Sequence, residues 1–150
     1  MSTQKVLTID IPVKLDEVKI VFSIASLSFE GDLPAAMFHM GLIVDDIADW
    51  KSSSEVIAVF HTNAGHPTLH DAAYNTDRGI STGNPYRKLL TDLMDKGVKV
   101  ELCGATARVH GWGNVDTIPG IQINRDAMAN PGCLDWYVAF AEQHRRRDSA

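Results

Sequence analysis

Two cysteines and six histidines carry most of the covalent and metal-binding potential of this chain. Cys103 closes the run Val98-Lys99-Val100-Glu101-Leu102, which has the β-branched, apolar character of a strand, and is followed at once by Gly104 and the helical pattern Ala105 to His110. A strand that stops at a thiol places the sulfur at the carboxyl edge of a sheet, where open parallel sheets bind their ligands. The backbone N–H groups of Gly104, Ala105 and Thr106, at the start of the following helix, would favour an anion there. The thiolate is the nucleophilic form of cysteine, so Cys103 is the candidate reactive residue. A second run, Glu55-Val56-Ile57-Ala58-Val59-Phe60-His61, ends in an imidazole. If the two strands are parallel members of one sheet, His61 and Cys103 open onto the same edge, with His110 a helix length away. The pairing also allows a hydrolase nucleophile with a histidine base, although no orienting acid is identifiable. The competing reading of Cys103 is a small buried hydrophobe at a tight strand-to-helix turn.

The remaining donors are less well organised. His66 and His70, together with His61, Cys103 and His110, are enough for a transition metal, but Pro67 interrupts the helical spacing and zinc sites usually show closer ligand pairs. No metal site is expected. His39 lies off the apolar stripe of its helix and reads as a surface residue. Cys133 follows the turn Asn130-Pro131-Gly132, and a role as resolving partner of Cys103 would need Cα atoms that sequence cannot bring together, so it reads as structural. Gly111-Trp112-Gly113-Asn114 reads as a packing turn. Neither a Walker loop nor a GxGxxG turn occurs, so no nucleotide is indicated.

The elements that must position these residues alternate. Val18 to Ile24 is nearly continuous in apolar character and reads as the first core strand. Pro34 opens an amphipathic helix to about Asp49, with Ala36, Met40, Ile43 and Ile47 on its stripe. Glu55 to His61 is the second strand, and Thr68 to Asn75 has the pattern of a short helix. Asn84-Pro85 starts and Lys96-Gly97 stops the clearest helix, which leads into the strand ending at Cys103. Ile121-Gln122-Ile123 is a short strand. Asp126 to Ala129 has the start of a helix, and Trp136 to Phe140 fits either a helix or, preferred here, a final strand. Such an order predicts an α/β protein: a single-domain, flavodoxin-like three-layer fold with a mostly parallel sheet.

Bulk properties agree with a single domain. The chain has 150 residues, 45% hydrophobic and 22% charged, which suffices for one core and excludes the disordered class. Residues 1–17 read as an N-terminal arm or edge strand, 18–141 as the domain and 142–150 as a polar basic tail. A net charge of -5, with Arg145-Arg146-Arg147 the one basic run, argues against a nucleic-acid partner. No apolar window of membrane-spanning length and no secretory leader is evident, which predicts no membrane partner and a cytoplasmic location, unless a signal peptide has been removed. Two cysteines make no disulfide framework.

The order and spacing of these pieces resemble the DsrE/DsrF-like family of small sulfur-relay proteins over about Val18 to Phe140. The likeness rests on Lys19-Ile20-Val21-Phe22, Val56 to His61, Ala73-Tyr74, Asn84-Pro85 through Gly97 to Gly104, His110-Gly111 and Ile118-Pro119-Gly120-Ile121. The resemblance implies a flavodoxin-like subunit assembling into homotrimers or homohexamers. It implies a sulfurtransferase-like carrier that holds sulfane sulfur as a persulfide on Cys103 and passes it from donor to acceptor proteins, without an organic cofactor. Gly104, Ala105 and Thr106 would then stabilise the thiolate, and His61 and His110 would tune its charge. The alternative is a non-catalytic oligomeric α/β binding protein with a structural Cys103.

Overall fold

The computed structural model describes residues 5–127 and 137–139. Two long strands form its centre. β1 (Glu17–Ile24) lies parallel to β4 (Ser53–Phe60), in a register that sets Glu17 beside Ser53 and Ile24 beside Phe60. β5 (Lys99–Leu102) adds to the far side of β4, with Leu102 beside Phe60, and β6 (Gln122–Ile123) adds to β5. β7 (Tyr137–Ala139) returns to the other side of β1, opposite Ile20, Val21 and Phe22. The order is therefore β6-β5-β4-β1-β7, parallel throughout. The expected fold is the one observed: a flavodoxin-like three-layer α/β domain.

Alternation along the strands divides the side chains between two faces. Val18, Phe22 and Ile24, Val56, Ala58 and Phe60, and Val100 and Leu102 all belong to the larger core cluster. Over this face lie α1 (Ala35–Trp50), α3 (Arg87–Asp95) and α4 (Gly104–His110), which contribute Met37, Met40, Val44, Ile47, Leu90, Leu93 and Ala107. On the opposite face, among the described residues, Val21, Ile57 and Val59 are buried with Ala127 against them. His61 and Cys103, each one residue beyond Phe60 and Leu102, belong to this second face.

Several boundaries differ from the sequence expectation. The loop after β1 contains a small antiparallel ribbon, β2 (Phe29–Glu30) with β3 (Leu33–Pro34), just before α1. α2 spans Asp71–Arg78, capped by the His70 ring, whose Nδ1 accepts the Ala73 N–H at 3.1 Å. Asn84-Pro85 does not open the next helix directly, since α3 begins at Arg87. Asn84 is instead a buried staple: its Nδ2 donates to Pro67 O at 2.8 Å and Leu69 O at 2.7 Å, while Oδ1 accepts the Tyr86 N–H at 2.8 Å. Residues 5–16 form an arm with bends at Asp10, Ile11 and Asp16 that joins neither sheet. Cys133, the turn before it, most of the helix expected from Asp126 and the tail at 142–150 lie outside the described residues. Among those described, no helix is long and apolar enough to cross a membrane.

Candidate functional site

The site is assembled by the carboxyl ends of three adjacent parallel strands. β5 hands over to α4 at Cys103, which is the N-cap residue; its carbonyl accepts the Ala107 N–H at 2.9 Å and its own N–H donates to Phe60 O at 2.9 Å. Those bonds fix the backbone of Cys103 beside that of His61. Neighbouring strands lie about 4.8 Å apart, so the two side chains start from adjacent positions on one face. Both are buried, Cys103 to 4% and His61 to 6% exposure.

The Cys103 sulfur accepts a hydrogen bond from the backbone N–H of Ala127 at 3.2 Å. The segment that delivers it is anchored at Asn124. Its N–H donates to Leu102 O at 3.1 Å, its Nδ2 to Glu101 Oε1 at 2.9 Å, and its Oδ1 accepts the Gly104 N–H at 3.3 Å. Gly104 is obligatory in this arrangement. A Cβ there would lie 2.3 Å from Asn124 O and 2.8 Å from Arg125 O, both backbone atoms that cannot rotate away. The close approach of residues 124–125 to α4 is what holds Ala127 over the thiol.

His61 is oriented by hydroxyls. Its Nε2 shares a hydrogen bond of 2.9 Å with Ser23 Oγ on β1, and its Nδ1 one of 2.9 Å with Thr62 Oγ1. A neutral imidazole donates through one nitrogen and accepts through the other, so two hydroxyls, which can do either, satisfy both tautomers. Thr62 itself has φ 55°, a left-handed conformation that costs a β-branched residue appreciable strain. It is held there by Thr106, whose Oγ1 accepts the Thr62 N–H at 2.9 Å. Thus Ser23, His61 and Cys103 form a row across β1, β4 and β5, and beside it lies Thr62, one of the two non-glycine residues with positive φ among the described residues.

The other sequence-designated residues are distributed as follows. Gly104 directs its N–H to Asn124, Thr106 uses its hydroxyl to hold the loop after His61, and Ala105 is exposed. His110 closes α4, about 10 Å along the axis from Cys103, and stacks on Trp112 with ring centroids 4.3 Å apart. His66 packs against Tyr74 and Tyr86, with centroids at 6.1 and 6.4 Å. Burial, aided by Arg78 and His110 and opposed by Asp77, lowers its pKa from 6.5 to about 4. His39 pairs with Glu30 at the surface. Among the described residues no group of three histidine, cysteine or acidic side chains converges as a metal site would require.

Sequence reasoning did not single out Ser23, Thr62, Asn124 or Ala127. Ser23 carried one usable signal: it shares the face of Val21 two residues earlier, at the same end of the sheet as His61. The others depend on loop geometry.

No protein-family model matches the chain, and no curated protein matches it. Among solved structures, it is similar to a protein of unknown function, MTH1491, from Methanobacterium thermoautotrophicum. That likeness has a TM-score of 0.59 at 17% identity and covers 81% of this chain and 97% of the other. It supports the α/β fold.

Proposed function

We propose that the protein is a sulfur carrier in which Cys103 holds a sulfane sulfur. The observation that carries this reading is the placement of its Sγ: at the carboxyl end of a sheet strand, one strand position from His61, and aimed at by the Ala127 N–H. In the forward step the Cys103 thiolate attacks the outer sulfur of a donor persulfide. A new S–S bond forms at Cys103, the donor S–S bond breaks and its inner sulfur leaves as a thiolate. An acceptor thiolate then attacks the outer sulfur and releases Cys103, so the cycle is an exchange with no net oxidation. The Ala127 N–H is placed to hydrogen-bond the Cys103 sulfur in both directions, and His61, held by Ser23 and Thr62, supplies a polar neighbour. Because the thiol is buried, a donor must displace the segment of residues 124–127 to reach it. The reading extends, through the family resemblance, to a cytoplasmic homotrimer or homohexamer serving donor and acceptor proteins.

Burial to 4% exposure favours a second reading, in which Cys103 packs the strand-to-helix turn of an oligomeric binding protein. Intact-mass spectrometry after incubation with several sulfane donors separates the two. The carrier gains one sulfur that a reductant removes, in wild type and Cys133→Ser but not in Cys103→Ser. No gain in any of the three overturns the carrier in favour of the binding protein.

A further inference from the structure

The arm before β1 is built as half of a structure. Leu7, Ile9, Ile11, Val13 and Leu15 are aliphatic, whereas Thr8, Asp10, Lys14 and Asp16 between them are polar. A period of two is the pattern of a strand with one covered face. Yet the five aliphatic residues are 84%, 67%, 81%, 53% and 43% exposed. Surfaces of this kind on a folded chain mark interaction sites. At on the order of 100 Å² each, five such side chains offer about 500 Å², some two-thirds of the roughly 800 Å² that one partner gives to a stable interface, and the bodies of the subunits must supply the rest.

We propose that this arm pairs antiparallel with the arm of a second copy of the chain, about a two-fold axis through Pro12. That register sets Ile11 opposite Val13 and Ile9 opposite Leu15, so each aliphatic residue meets another on one face. It also sets Asp10 opposite Lys14 twice, once on each side of the axis. Neighbouring registers lose this match. Centring on Asp10 sets that carboxylate against its own copy, centring on Val13 sets Asp10 against Asp16, and centring on Ile11 brings no opposite charges together within residues 5–16. Like charges directly opposite destabilise a strand pair, and opposite charges support it.

Proline agrees with the same register. Antiparallel pairs alternate between hydrogen-bonded and non-hydrogen-bonded positions. With Pro12 against itself at a non-hydrogen-bonded position, its missing N–H would have pointed out of the ribbon, and nothing is lost. Asp10 and Lys14, two positions away, are then also non-hydrogen-bonded, where side chains approach most closely. The arm bends at Asp10 and Ile11 in the single chain, and pairing would straighten it. Leu15 O and Asp16 O accept hydrogen bonds from Ser52 and Ser53 at the start of β4, so residues 5–14 are the part that can reach out; fully extended they span about 33 Å, enough to meet a neighbour without disturbing β1. A two-stranded ribbon alone is marginal, so its aliphatic face closes on the two subunit bodies. The interaction is isologous and does not depend on the chemistry of Cys103.

Analytical ultracentrifugation of the full chain tests the register through charge. Wild type self-associates. Asp10→Lys and Lys14→Asp each place two like-charge pairs in the ribbon and weaken the dimer by about tenfold, and the double variant Asp10→Lys/Lys14→Asp restores it. These residues are exposed, so folding is not at stake, and circular dichroism verifies that. Under mild oxidation in a Cys133→Ser background, Pro12→Cys forms a covalent dimer faster than Thr8→Cys, because only position 12 faces itself. A wild type that stays monomeric at the highest concentration overturns the proposal. So does an oligomer indifferent to the single reversals, a double variant no better than either single one, or equal cross-linking at positions 8 and 12.

Discussion

Gly104 shows how a single missing methyl group can control the candidate site. The carbonyl oxygens of Asn124 and Arg125 occupy the space its Cβ would need, and the same stretch goes on to place the Ala127 N–H on the Cys103 sulfur. Gly104→Ala must therefore push backbone against backbone, and a clash of this kind costs about 2–3 kcal/mol. Urea unfolding should show that loss, and Cys103 should be alkylated faster because its cover has been forced away. A variant with wild-type midpoint and wild-type alkylation rate would show that the close approach of residues 124–125 is dispensable. Cys103 and His61 were legible in the sequence because each ends an apolar run, and strand ends are where parallel sheets collect ligands. Ser23, Thr62 and Asn124 were not. Ser23 meets His61 only through a register linking residues 38 apart, Thr62 matters through a positive φ that threonine does not advertise, and Asn124 acts by bridging Glu101 and Gly104.

Elements were read best where burial alone specifies them. β1, β4 and β5 are apolar runs, and α1 follows its stripe of Ala36, Met40 and Ile47 to within a residue of the expected end. The start of α3 was displaced because an Asn-Pro pair signals a cap equally well whether the asparagine bonds locally or, as here, reaches back to Pro67 and Leu69. The β2–β3 ribbon has only two residues per strand, too few for any period to register. Gly41 is an element-scale anomaly, a glycine inside α1 with nothing within 4 Å of where a Cβ would stand. It lines a groove of about 290 Å³ between α1 and α3, with Phe38, Leu42 and Leu89. Since glycine inside a helix is less favourable than alanine by about 0.5–1 kcal/mol, Gly41→Ala should stabilise the protein by that amount. The denaturation midpoint should rise with an unchanged slope; a fall would mean that the groove is occupied in the folded protein.

At the scale of the whole molecule, stepwise addition of β4, β5 and β6 to one side of β1 gathers α1, α3 and α4 on one face and leaves His61 and Cys103 on the other. The alternation of strands and helices made this class of fold legible, whereas the return of β7 to the far side of β1 follows from a long-range pairing that no local pattern encodes. The helical face carries its own titrating device. His66 packs beside Tyr74 and Tyr86, and its pKa of about 4 lies below the 6.5 of an unfolded chain, chiefly through burial. Between those values the unfolded state binds a proton that the folded state refuses, so stability falls as pH drops from 6.5 towards 4 and this contribution levels off below. At 1.36 kcal/mol per pH unit the upper bound is about 3 kcal/mol. His66 is only half-buried, so solvent screening reduces this to roughly 1–2 kcal/mol. His66→Phe retains a ring against the two tyrosines and removes the titration. Its unfolding free energy, followed by urea denaturation from pH 7 to 4, should decline less steeply than wild type by that amount. Parallel curves for the two proteins would mean that His66 takes up its proton as readily in the folded chain as in the unfolded one.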